Sequence, residues 1–143
     1  SVDAMRQWHQ SARPIPVTTE QAALAAIDEE WNILVLDPGG PSILFPRPAV
    51  VALMTGRPWS PVVTDGRVDP EVAAAISATL AGIGSTQCEP GERSELRIVV
   101  EIPAATPGAE RGELASAVTA LLAADQVVTQ RVDSLEVVFR PRA

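Results

Sequence analysis

The chain has no lysine and no tyrosine, one histidine, one cysteine and only five aromatic residues. Its eleven basic residues, all arginine, face eighteen acidic ones, for a formal net charge of -7. Nucleic-acid binding needs a basic face that displaces counterions. The charge is -3 over residues 1–66 and -4 over 67–143, so neither half offers such a face. No nucleic-acid partner is expected, and the charge serves solubility. The lone Cys88 excludes an intrachain disulfide and thus a secreted disulfide framework. No apolar run approaches the roughly 20 residues that cross a bilayer, so no membrane partner is expected. The N-terminus shows no charged region followed by an apolar core, and a cytoplasmic protein is expected. The chain opens at Ser1 rather than Met, so residues upstream of it are expected too.

The same scarcities bear on catalysis. A Ser-His-acid site needs an imidazole to take the proton. His9 lies near the end of a short N-terminal helix and reads as a surface residue, and no G-x-S-x-G turn is present. Cys88 adjoins Glu89, with no Lys or His near it in sequence to stabilise a thiolate. Soft-metal binding needs several Cys or His at ligand spacing. The acidic run Asp28-Glu29-Glu30 reads as a solvated face, because consecutive helical residues diverge. No catalytic residue, metal or cofactor is expected, and the chain does not read as an enzyme.

What is present is an ordinary globular composition, 46% apolar and 20% charged, in 143 residues. That length builds one domain or two small ones, and thirteen prolines imply short elements between stiff turns. Ser1 to Trp8 reads as a short helix with Ser1 as N-cap. Arg13-Pro14-Ile15-Pro16-Val17 cannot be helical and suits an edge strand or linker. Thr18 and Gln21 form a capping box before a helix whose apolar face is Ala23, Leu24, Ile27 and Trp31. Asn32 to Leu36 is a continuous apolar run, read as a central strand covered on both faces.

Asp37-Pro38-Gly39-Gly40-Pro41 is a turn in which Gly39 and Gly40 are expected to take positive φ. A short strand, Ile43 to Phe45, leads to a helix opened by Pro48 and stopped at Gly56. Residues 57–68 hold two prolines and an Asp-Gly turn, and place a boundary between modules 1–60 and 68–143. Asp69-Pro70-Glu71 starts a helix carrying Val72, Ile76, Leu80 and Ile83, expected to end at Gly82 or Gly84. Ser85 to Glu89 is a weak strand. Leu96, Ile98, Val100 and Ile102 alternate with Arg97, Val99 and Glu101 as a half-buried strand. Leu114, Val118, Leu121 and Leu122 form one helical stripe, and Leu135, Val137 and Phe139 a closing strand. The fold class is α/β (α+β), with the second module α-β-β-α-β around an antiparallel sheet.

Three features are candidate binding residues. The turn at Asp37, Gly39 and Gly40 could offer backbone N–H groups to an anion, although neither G-x-G-x-x-G nor a Walker lysine is present. Arg47 and Arg57 flank the Pro48 helix, either salt-bridged to the acidic body or facing an anionic partner. Trp59, in a Pro-rich connector, either plugs the junction of the modules or anchors a partner.

The segments SVDAMRQW, ARPIPVT and LVLDPGGPSILFPRPAVVALMTGRPW resemble the enhanced-serine-sensitivity (SseB-like) proteins in their actinobacterial form. Ser1-Val2-Asp3 corresponds to that family's Phe-Thr-Ser helix start, and Pro46-Arg47-Pro48-Ala49 to its Pro-Arg-Pro-Ala helix start. The second half is similar to the family's C-terminal module, with Val132-Asp133-Ser134-Leu135 at its closing strand. The resemblance implies opening strands that this chain lacks, and hence a first sheet with an unpaired edge. It offers no catalytic residues to carry over. The function expected is a non-enzymatic module binding a protein partner or, as a weak homodimer, itself. That dimer is expected through an edge other than Arg13–Val17, whose prolines cannot donate, or through Trp59. The alternative is a sensor of a small anionic metabolite at Asp37–Gly40 and Arg47.

Overall fold

The structure, a computed structural model, describes residues 2–31 and 33–142. It divides into two compact units, Ser1–Trp59 and Ser60–Ala143. The fold is α+β. The N-cap expected at Ser1 and the strand start expected at Asn32 lie outside the described residues.

In the first unit α1 (Val2–Trp8) buries no residue. The capping box before α2 (Thr19–Asp28) forms in both directions: Gln21 N–H donates to Thr18 Oγ1 at 3.2 Å and Thr18 N–H to Gln21 Oε1 at 3.0 Å. The helix stops where Glu30 turns left-handed at φ 58°. Trp31 N–H then reaches back to the Ala26 carbonyl and Glu30 N–H to that of Ile27, the paired closure of a Schellman motif. This turn carries Trp31 off the helix, so it is 60% exposed and not the core residue its spacing suggested.

Strands β1 (Ile33–Leu36) and β2 (Ile43–Pro46) make an antiparallel pair that is a whole sheet in itself. The expectation of a central strand covered on both faces fails: β1 has one neighbour and is mostly exposed. Helix α3 (Arg47–Thr55) follows at once, with Pro46 at its N-cap and Gly56 closing it at φ 64°. The core here is thin. Ala23, Ala26 and Val50 are buried, with Ile27, Leu34, Phe45, Leu53 and Met54 packed around them.

The second unit begins at Ser60, earlier than residue 68, because Val62 is fully buried in its core. Asp65 (φ 52°) and Gly66 (φ 71°) make the tight turn between β3 (Val63–Thr64) and β4 (Arg67–Val68). Asp69 caps α4 (Pro70–Thr79), which ends at Leu80 and not at a glycine. Strand β6 (Leu96–Pro103) lies between β5 (Thr86–Pro90) and β7 (Leu135–Arg142).

The β5–β6 pair is antiparallel, but β6–β7 is parallel, so the sheet is mixed rather than antiparallel. A parallel neighbour needs a crossover, supplied by α5 (Gly108–Ala124) and by a helix absent from the sequence reading, α6 (Gln126–Arg131). Central placement buries Val99 as well as Leu96, Ile98, Val100 and Ile102, so β6 is covered more fully than its alternation implied. Val118 and Leu122 of α5 are buried, whereas Leu121 is 41% exposed and leaves the stripe.

Helices α4 and α6 are clasped at both ends. Arg131 donates to Asp69 at 2.7 Å, and Thr79 Oγ1 donates to Asp125, the α6 N-cap. Start thus meets end, and the helices run antiparallel. The Arg131 hydrogen bond holds the Asp69 carboxyl below its ordinary value, and that from Thr79 does the same for Asp125. A carboxylate depressed in the folded state adds stability above its unfolded pKa and loses it as pH falls through the folded one. The melting temperature should hold steady above about pH 5 and fall below about pH 4. Asp125→Asn keeps a capping oxygen but not the charge. It is expected to flatten that acid limb in thermal melts, and an unchanged limb would remove Asp125 from the account.

Candidate functional site

Residues paired across an antiparallel ladder share a face of the sheet. The β1–β2 register pairs Ile33 with Pro46, Leu34 with Phe45, Val35 with Leu44 and Leu36 with Ile43. Leu34 and Phe45 pack on the α2–α3 core, which makes theirs the inner face. The outer face therefore consists of Ile33, Val35, Leu44 and Pro46. It is apolar and open: Ile33 is 51%, Val35 47% and Leu44 62% exposed.

Such groups are concentrated in the first unit. Of thirteen large apolar side chains exposed among the described residues, eleven lie between Val2 and Leu44. An apolar groove of about 430 Å³ runs along β1, lined by Leu34, Val35, Leu36, Phe45 and Leu53 with Val17, Thr18, Thr19 and Ala22 opposite. Both strands are edges, and neither ILVL nor ILFP carries a charge.

The second unit treats its edges differently. Its edge strand β5 carries Glu89 and Pro90, and β7 carries Arg140, Pro141 and Arg142. Charges and prolines on an edge are what keep other chains from pairing with it. On the outer side of that sheet Arg97 lies within ion-pair distance of Glu89, Glu92 and Glu136.

The residues expected to bind are placed apart. Asp37, and not Gly39 or Gly40, takes the positive φ, 51°. The Gly40 N–H is spent on the Asp37 carbonyl at 3.0 Å, which removes one donor from any anion cradle. Gly39 has another use, since a Cβ there would stand 2.6 Å from the Ala4 carbonyl oxygen. The turn thus docks on α1, beside a hollow of about 170 Å³ lined by Met5, Trp8 and Pro38. Arg47 is exposed at the other end of the hairpin, on the order of 10 Å along a four-residue ladder. Turn and arginine do not converge. Trp59 is half-buried, with its indole Nε1 shielded from solvent and without a hydrogen-bond partner.

The remaining chemical candidates are equally scattered. His9 is exposed and shares a hydrogen bond with Ser11 through Nδ1 at 3.0 Å. Burial against the second core raises the Cys88 thiol pKa, the opposite of what a nucleophile needs. Among the described residues no group of acidic, His and Cys side chains is arranged to hold a metal. No described helix is long and apolar enough to cross a membrane.

Residues 1–52 match the model of the SseB protein N-terminal domain. Over that stretch, which contains α1, α2 and the β1–β2 hairpin, the chain is SseB-like. The match stops short of the second unit and does not distinguish the actinobacterial form. No curated protein and no solved structure gives a significant match.

Proposed function

We propose that this chain is a non-enzymatic, cytoplasmic interaction module that takes up an extended polypeptide segment on the β1–β2 hairpin. The observation that carries the reading is the unpaired, uncharged edge of β1, with the apolar outer face of the hairpin on one side of it and the groove lined by Leu34, Leu36 and Phe45 on the other. An incoming strand gains main-chain hydrogen bonds along the edge and buries alternate side chains in the groove beside β1. The contrast within one molecule supports it, since charge and proline guard the edges of the second sheet and none guards β1.

The test uses the isotope-labelled 143-residue chain and a short peptide of alternating valine and threonine with an arginine at each end. Amide shifts are expected at Ile33–Leu36 and Ile43–Phe45, with weakening of about tenfold in Leu44→Asp or Val35→Asp. Shifts confined to the second unit, or none at concentrations where the peptide stays soluble, would remove this reading.

A further inference from the structure

Resting on that reading, we infer that the segment the hairpin accepts is Arg13–Val17 of a second copy of this chain. This departs from the expectation that its prolines keep Arg13–Val17 out of a dimer: they spoil one edge only, and the segment suits one-sided pairing. In a strand, alternate residues point their N–H and C=O groups to opposite edges. Pro14 and Pro16 fall on one edge, so Arg13, Ile15 and Val17 present a complete set of donors and acceptors on the other. The two prolines also hold Arg13 and Ile15 extended.

The N–H groups of those three residues have no partner among the described residues, and Ile15 is 79% exposed. Within its own chain the segment runs into α2 and brings only Val17 to the groove. The donor-free proline edge faces outward after docking, so pairing ends there and does not propagate.

Charge fixes the direction. Asp37 follows β1 and is exposed. An antiparallel docking sets Arg13 beside this carboxylate and Ile15 over the middle of β1. Two copies exchanging segments about a two-fold axis satisfy both sites at once and close as a dimer. The surface gained is small for a stable interface, so the dimer should be weak.

Sedimentation of the intact chain across a micromolar to submillimolar series tests this. A monomer–dimer equilibrium is expected, weakened by about tenfold or more in Ile15→Asp and in Val35→Asp. Circular dichroism should show Ile15→Asp fully folded, because Ile15 touches solvent. An Ile15→Cys copy mixed with a Val35→Cys copy should give a mixed disulfide while Cys88 stays reduced. A dimer indifferent to Ile15→Asp, or an open-ended polymer, overturns the inference. A strict monomer overturns it too; if that monomer still binds the valine–threonine peptide at β1, the docking function stands and its occupant is another protein.

Discussion

Leu122→Ala should lower the free energy of unfolding by about 2–5 kcal/mol, and Leu121→Ala by less than about 1 kcal/mol. Leu122 is 2% exposed in the core formed with Ile76, Leu80, Ile98 and Val118, so its loss removes buried surface and leaves a cavity. Leu121 is 41% exposed, and its truncation opens no hole. Consecutive residues on a helix diverge by about 100°, so both cannot point into one core. Urea unfolding of the two variants separates the cases. Equal costs would mean that α5 is rotated from the orientation described.

Gly84→Ala should cost about 3 kcal/mol, the upper end of ordinary overpacking. A Cβ at Gly84 would stand 2.2 Å from the Glu101 carbonyl oxygen and 3.4 Å from its carbon. The obstacle is main chain, fixed because Glu101 N–H donates to Ser85 at 2.9 Å. Yielding means shifting β6 in the centre of the sheet. The gain from a less flexible unfolded chain, about 0.4–1 kcal/mol, is too small to offset that. Gly82→Ala is the matched control, as nothing lies within 4 Å of its Cβ position. If Gly84→Ala melts with Gly82→Ala, the close approach of turn and strand is wrong.

Much of the fold was legible because its signals are local. The capping box at Thr18, the Asp69-Pro70 start of α4 and the alternation of β6 each rest on a few neighbouring residues. What escaped depends on neighbours distant in sequence. An apolar run such as Ile33–Leu36 states that a strand is sticky and not how many strands flank it. Trp31 kept the helical spacing of α2, but a left-handed Glu30 ended the helix first. The direction of β7 was set by the crossover through α5 and α6, which alternation does not encode.

The candidate site shows the same division. Asp37, Gly39, Gly40 and Arg47 stand out by residue type, and the β1–β2 register puts the turn and the arginine at opposite ends. The outer face of the hairpin was missed for a physical reason. Its residues look like core residues, and they form a surface because no element among the described residues covers them. The available sign was two adjoining strands without a charge, in a chain that places charges on the edges of its other sheet.

The parallel register of β6 and β7 also decides how far the second unit can be divided. Leu96 pairs with Leu135, so the covalent route between neighbouring strands runs through both α5 and α6. That tether keeps β7 at a high effective concentration beside β6. Stretching it is cheap, since each doubling of a flexible loop adds only about 0.6 kcal/mol. Cutting it is not. A break between α6 and β7 turns an intramolecular pairing into a bimolecular one and forfeits the roughly millimolar advantage of the link. The sheet tolerates insertions in the crossover far better than it tolerates a nick.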